Sequence, residues 1–377
     1  MPPMTELQAL IRQEIAASGG FLPFDRYMHL ALYAPGLGYY ARTAPMLSGG
    51  DFITAPEMTS LFGQTLAVQC AQIFEAGVAP HILEFGAGSG KLAHDLLTAL
   101  GRLGWPQTRY SIIEVSGALQ SAQRSTLSAF DLRIEWLTRL PESLDGIVLA
   151  NEVLDAMPVQ VFAIEGDQVF ERGVGLAEDR LVWLQRRARE KLDALVLARV
   201  SNANRLECRT NAGAYISEIG LQAEAFVASI ASKMHQGMVL LIDYGFGASE
   251  FYHPQRNAGT LMCFAQHRSH PDPLHDPGKE DITAHVDFSA IADAAAGAGL
   301  QLAGYTSQAR FLMNCGILDL LGELPREDAR HWAQAVAPVQ RLLSEAEMGE
   351  LFKVIAFTKG LDQPLIGFAR GDRSGTL

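Results

Sequence analysis

Apolar residues recur along this chain at two different periods, and the switches between them outline its elements. From Thr5 to Ser18, Leu7, Leu10, Ile11 and Ile15 fall on one helical face. Ser60 to Ala76 repeats that period with Leu61, Phe62, Leu66, Val68, Ile73 and Phe74. Short apolar runs follow at 82–85, 110–114, 133–137 and 146–150, with helical patterns at 91–100 and 117–129. Strands alternating with helices predict a parallel sheet with right-handed crossovers. Beyond residue 157 the period drops to two. Val159–Ile164, Val169–Leu176 and Leu181–Gln185 alternate, and Glu165-Gly166-Asp167 and Glu178-Asp179 supply the turns. This pattern predicts an antiparallel meander inserted in the α/β core. Helices are expected at roughly 188–200 and 214–234, then a buried strand at 237–243 and a loop-rich stretch at 248–286. A helix at 288–298, a strand at 301–306 and a helical region at 309–348 come next. Two closing strands, 351–357 and 365–369, should form a hairpin around Gly360.

Composition narrows the picture. The 377 residues are 48% apolar, enough for a sizeable core. The net charge is −12, which disfavours nucleic acid and anionic membrane as partners. Cys70, Cys208, Cys263 and Cys315 are widely spaced, so neither a disulfide framework nor a zinc knuckle is expected. No apolar run reaches the ~20 residues a bilayer requires. The first residues resemble neither a signal peptide nor a transit peptide, which predicts a bacterial-type cytoplasmic protein.

The densest chemistry lies in Ile82-Leu83-Glu84-Phe85-Gly86-Ala87-Gly88-Ser89-Gly90-Lys91. A buried strand runs here into a glycine turn and then a helix. Glycine lets the backbone approach a ligand closely, and a helix start offers free N–H groups. The dinucleotide fingerprint G-x-G-x-x-G does not fit, because Gly90 falls one residue early. The phosphate loop does not fit either, because Phe85 replaces its first glycine and Leu92 its hydroxyl. What remains is E-x-G-x-G-x-G, which resembles the S-adenosylmethionine (SAM) loop of class I methyltransferases. A carboxylate there suits an ammonium and a sulfonium and would repel a pyrophosphate. A second acid, Glu114, ends the strand Tyr110-Ser111-Ile112-Ile113 and is placed to accept ribose hydroxyls.

Other polar groups are candidates for the reaction itself. Asn151, Glu152 and Asp155 follow the fourth strand, where a sheet of this kind meets its ligand. Carboxylates there could hold a guanidinium; equally, they could cap a helix. Asp51, Thr54 and Glu57 lie in a Gly/Pro-bounded loop that could fold over a cofactor or be a plain connection. His253, His267, His270, His275 and His285 crowd one region, but their spacing matches no zinc pattern, so no metal is expected. His285 could orient a substrate or accept a proton. Asp287 fits that role or a helix N-cap equally well.

Taken together, several segments resemble the MidA-like SAM-dependent methyltransferases, a family that includes a mitochondrial complex I assembly factor. They are Gly50–Glu57, Glu84–Gly90, Glu114-Val115-Ser116, Asn151–Val159, Asp243-Tyr244-Gly245, Gly259-Thr260-Leu261, Asp281–Phe288 and Phe311–Gly316. The resemblance implies an α/β class I methyltransferase (Rossmann-like) core with the inserted meander and an added, mostly helical lobe. Residues 1–60 would be a helical segment and cofactor-covering loop, and 61–158 the SAM-binding half. Residues 159–236 would be the insertion, and 237–377 the second half of the core with a substrate lobe. The resemblance implies that Glu84, Gly86, Gly88 and Glu114 bind SAM, that Thr54, Pro56 and Glu57 help cover it, and that Asn151, Glu152 and Asp155 face the substrate. With the residues read directly, the expected cofactor set is Thr54, Pro56, Glu57, Glu84, Gly86, Gly88, Gly90, Glu114 and Asn151, and the expected catalytic set Glu152, Asp155 and His285. The implied activity is protein arginine N-methylation, with symmetric dimethylation of a respiratory complex I-type subunit as the family's known case. The two-glutamate hairpin of the main arginine methyltransferases is missing, so roles cannot be carried over from that group. A small-molecule or other-side-chain methyltransferase, and an assembly factor that binds SAM without turnover, stay open at this point. The helical stretch at 309–348 could serve a dimer or simply the chain's own core.

Overall fold

The computed structural model describes residues 4–41, 54–204, 213–265, 268–324 and 329–377. Asp51, Cys208 and His267 lie outside them. The chain folds as two compact units, each assembled from three stretches of sequence. The first takes Met1–Phe52, Leu154–Ala225 and Phe246–Ile291; the second takes Ile53–Val153, Phe226–Gly245 and Ala292–Leu377.

Among the described residues, the second unit is built on seven strands: β1 (His81–Phe85), β2 (Arg109–Ile113), β3 (Ile134–Leu137), β4 (Leu144–Asn151), β5 (Met234–Phe246), β6 (Gln301–Ser307) and β7 (Phe352–Lys359). They lie in the order β6-β7-β5-β4-β1-β2-β3. Strands β3, β2, β1, β4 and β5 are parallel, and β7 runs antiparallel to both β5 and β6. Ile147, Val148, Leu149 and Ala150 are all buried, the continuous apolar run of a strand covered on both faces. Helices Ser60–Glu75 and Lys91–Arg102 pack Leu66, Ile73, Leu96 and Leu100 into the same core as Ile82 and Leu149. Each such side chain contributes about 2 kcal/mol by leaving water. Chain order reverses at β1, whose neighbours are β2 on one side and β4 on the other. A crevice opens outside the carboxyl ends of strands at such a reversal.

The first unit is mixed. Gln160–Glu165, Gln168–Ala177 and Arg180–Arg187 pair antiparallel in succession. Helix Glu6–Ala17 buries Leu7, Ile11 and Ile15 in a core shared with Tyr27, Met28 and Val174. Within 248–286, read as loop-rich, a small sheet forms from Met262–Ala265, Arg268–His270 and Asp281–Thr283.

Two expectations are corrected. Residues 214–234 are not one helix: Tyr215–Ile219 is a strand beside Gln160–Glu165, and helix Leu221–Lys233 starts after Gly220. Tyr215, Ile216 and Ile219 suit a pleated surface better than a helix. Nor do residues 365–369 close a hairpin. Ile366–Phe368 is a 3-10 turn, whose Gly367 N–H donates to Gln69 Oε1 at 2.9 Å while its carbonyl accepts from Asn314 Nδ2 at 2.9 Å. Side chains thus take the backbone groups a strand ladder would have used. A Cβ at Gly367 would lie 2.2 Å from the Phe311 ring, so the close packing depends on glycine. Among the described residues, no helix is long and apolar enough to cross a membrane.

Candidate active site

Strand β1 delivers the glycine loop to the reversal point. Gly86, Gly88 and Gly90 have φ of 67°, 51° and 83°, a left-handed backbone that side chains with a Cβ resist. A Cβ on Gly88 would meet nothing within 4 Å, so this face of the loop opens onto free space. A Cβ on Gly86 would instead come within 2.8 Å of Val153 Cγ2, which puts the segment after β4 directly against the loop. Gly90 is the N-cap of helix Lys91–Arg102. Ser89 Oγ accepts from Lys91 N at 3.2 Å and donates to Glu57 on the short helix Ala55–Met58. Thr54 precedes that helix as its N-cap, and Pro56 is buried in it. Of Thr54, Pro56 and Glu57, it is Glu57 that hydrogen-bonds the loop, through Ser89.

Glu84 sits below the loop, 2% exposed, and accepts from Tyr110 Oη at 2.9 Å. Burial pushes its carboxyl up to about 7, and the Tyr110 hydrogen bond opposes part of that rise. Glu114 follows β2. Its Oε1 accepts from Ser116 N at 2.8 Å and its Oε2 from Gln123 Nε2 at 3.4 Å. The same Gln123 nitrogen donates to the Gly88 carbonyl at 3.1 Å, and Gln123 Oε1 accepts from Trp136 Nε1 at 3.0 Å. Gln123 is fully buried in helix Gly117–Thr126 and belongs to no motif, so the sequence reading passed over it.

At the end of β4, Asn151 Nδ2 donates to Glu152 Oε1 at 3.1 Å. Asn151 Oδ1 is buried and makes no hydrogen bond among the described residues. Glu152 has φ of 54°, a conformation uncommon in a residue with a side chain, and such outliers gather at functional sites. Two backbone bonds hold it there. Glu152 N donates to Ile242 O at 2.9 Å, and Val153 N donates to Asp243 Oδ2 at 3.2 Å. Asp243, buried on β5, is a second positioning group; the sequence places it in a segment of the family resemblance but assigns it no role.

Comparison with known proteins bears directly on this geometry. The family described as S-adenosyl-L-methionine-dependent methyltransferases matches residues 65–306. The chain belongs to that family. A Burkholderia thailandensis protein crystallised with S-adenosyl-homocysteine is 48% identical, with a TM-score of 0.92 over 98% of this chain and 96% of that one. The protein arginine methyltransferase NDUFAF7 of Danio rerio, a mitochondrial protein, is 30% identical over 91% of this chain and 84% of its own length. Its Caenorhabditis elegans homologue is 27% identical over 94% and 87%.

The residues present fit the family's cofactor. Gly88 faces open space, Asn151 Oδ1 is a buried acceptor still lacking a donor among the described residues, and the Glu114 carboxylate stands at the tip of the neighbouring strand. The remaining expected residues, Asp155 and His285, belong to the first unit. Asp155 is buried there, and its carbonyl accepts from Ala284 N at 2.9 Å. His285 N donates to Thr260 Oγ1 at 3.1 Å, and its ring lies edge-on to Phe246 at 5.2 Å. Asp287 accepts from Ser289 N and Ala290 N at 3.1 Å each, the bonding of a helix N-cap. Burial holds its carboxyl above the usual range. Glu218, also unforeseen, is buried and accepts from both Thr260 N and Thr260 Oγ1 at 3.0 Å.

Proposed function

We propose that this chain is a SAM-dependent protein arginine N-methyltransferase, with Glu152 as the carboxylate that engages the guanidinium. The observation carrying this reading is the left-handed backbone of Glu152, fixed beside the glycine loop by Ile242 and Asp243. Strain of this kind persists where a side chain must point in one direction. When bound, the cofactor supplies a methyl group on a positively charged sulfur. The chain's part is to bind, align and exclude water. Gly86, Gly88 and Gly90 give close backbone approach, and Glu114 accepts the ribose hydroxyls. Glu84, in its ionised form, sets a negative field from beneath the loop. Thr54, Pro56 and Glu57 cover it, and Asn151 offers Oδ1 as an acceptor. A carboxylate at Glu152 accepts guanidinium N–H groups and fixes the attacking nitrogen in line. Asp155 and His285 complete the proposed catalytic set, His285 as the proton acceptor.

The curated relatives named as protein arginine methyltransferases support the choice of acceptor. The proposal extends to symmetric dimethylation of a respiratory complex I-type subunit, which rests on the family resemblance of the sequence segments alone. A cytoplasmic setting is part of it as well. The bacterial homologue is compatible with that setting, while the curated relatives are mitochondrial. The test is methyl transfer by wild type and Glu152→Gln, with SAM affinity measured alongside. Loss of transfer by at least a hundredfold with affinity unchanged within threefold is expected. Equal transfer by both proteins would remove Glu152 from the reaction.

A further inference from the structure

The small sheet of the first unit gathers donors that have no part in the reading above. Met262–Ala265 is its central strand, with Arg268–His270 and Asp281–Thr283 on either side. Cys263 stands directly opposite His270 in one pair and opposite Ile282 in the other. Side chains directly opposite share a face, and every second residue returns to it. Glu280, two before Ile282, therefore comes back to the face of Cys263 and His270. The side chains bear this out, because the Cys263 sulfur, a His270 nitrogen and a Glu280 oxygen all lie within 4.8 Å of one another. Cys263 is fully buried, and Glu280 is 7% exposed. His270 Nε2 lies 3.1 Å from Glu280 Oε2, and His275 Nδ1 lies 3.1 Å from Glu280 Oε1.

We propose that Cys263, His270 and Glu280, with His275 as the fourth donor, form a structural zinc site. One sulfur, two nitrogens and one oxygen make a donor set that a borderline-soft, tetrahedral ion accepts. Ligand bonds of about 2.0–2.3 Å put donors roughly 3.3–3.7 Å apart. The nitrogen–oxygen approaches already have that scale; among Cys263, His270 and Glu280 the widest separation needs to close by about 1 Å, and His275 joins through its 3.1 Å approach to Glu280. A bland alternative is a buried carboxylate paired with two histidines. That alternative gives no role to Cys263, which is fully buried with its sulfur within 4.8 Å of a His270 nitrogen and a Glu280 oxygen. A divalent cation favours a coordinating thiol in its thiolate form. Binding through His270 Nε2 gives up the long 3.3 Å contact from Asp272 N to Nδ1, because that nitrogen must then carry the proton. The ion would staple the segment from His270 to Glu280, already held by the 2.6 Å bond from Tyr27 Oη to the Pro273 carbonyl, onto the sheet.

The experiment uses the untagged full-length chain after dialysis against a chelator. Zinc is titrated in competition with a chromogenic chelator, and cobalt is then substituted and its absorption recorded. One zinc per chain is expected, with a Kd of micromolar or tighter. Cobalt should show tetrahedral bands and a thiolate charge-transfer band. Cys263→Ser should lose that band and bind zinc at least a hundredfold more weakly. Glu280→Gln should weaken binding at least tenfold, and Cys315→Ser should change neither. Less than one zinc per wild-type chain would overturn the proposal without recourse to any variant. So would a charge-transfer band that survives Cys263→Ser.

Discussion

Gln123 ties Glu114 to the glycine loop: one amide nitrogen stands 3.4 Å from Glu114 Oε2 and 3.1 Å from the Gly88 carbonyl. The carboxylate at the tip of β2 and the turn after β1 are therefore held in one frame before any ligand arrives. Gln123→Ala removes both bonds and frees Trp136 Nε1 as well. A hydrogen bond to a charged group is worth about 1.5–3 kcal/mol, so SAM affinity should fall roughly tenfold or more. Calorimetric titration checks this. An unchanged Kd would mean that the loop is set without Gln123.

Gly88 separates cofactor binding from folding. Gly88→Ala places a methyl group in a left-handed backbone at a cost of about 1 kcal/mol, with nothing in the protein to collide with. Thermal unfolding should move by only a few degrees. SAM affinity should drop by at least tenfold, since the methyl points where a ligand would approach. A large stability loss with affinity intact would reverse the assignment.

Glu152 should show a trade-off between stability and activity. Its φ of 54° costs about 1 kcal/mol, which glycine would not incur. Glu152→Gly is expected to raise the unfolding free energy by up to that amount while methyl transfer collapses. Denaturant titration and a transfer assay on the same preparation decide the matter. A destabilised variant would show that Glu152 is held by packing rather than strained for use.

Glu84 predicts a pH dependence. Its carboxyl is raised by burial from 4.5 to about 7 in the folded chain. Between those values the folded state holds more protons than the unfolded one. Stability is therefore greatest below about 4.5 on this account and falls as pH rises through 7, by about 3 kcal/mol in all. Glu84→Gln should flatten that slope in the ligand-free protein. Parallel slopes for the two proteins between pH 4.5 and 7 would contradict the burial reading.

Legibility in the sequence followed locality. The glycine loop, Glu114 and the apolar run of β4 were readable because each rests on neighbours within a few residues. Gln123 was not, because nothing in a helix sequence announces that one amide will meet Gly88, Glu114 and Trp136. Residues 365–369 look like a strand, yet Gln69 and Asn314, distant in sequence, capture the backbone of Gly367. The histidine-rich region shows the same limit. Cys263, His270 and Glu280 match no spacing rule, and strand register alone brings them to one face.

The most direct test of the proposed activity is the chemical identity of the methylated residue. The purified chain would be incubated with methyl-labelled SAM and a cell lysate, with NAD in place of SAM as the control. Labelled proteins would then be hydrolysed to amino acids and the methylated products identified. The account predicts label in methylarginine, made by wild type and lost with Glu152→Gln. Label confined to another side chain or to small molecules, with none in arginine, would contradict it.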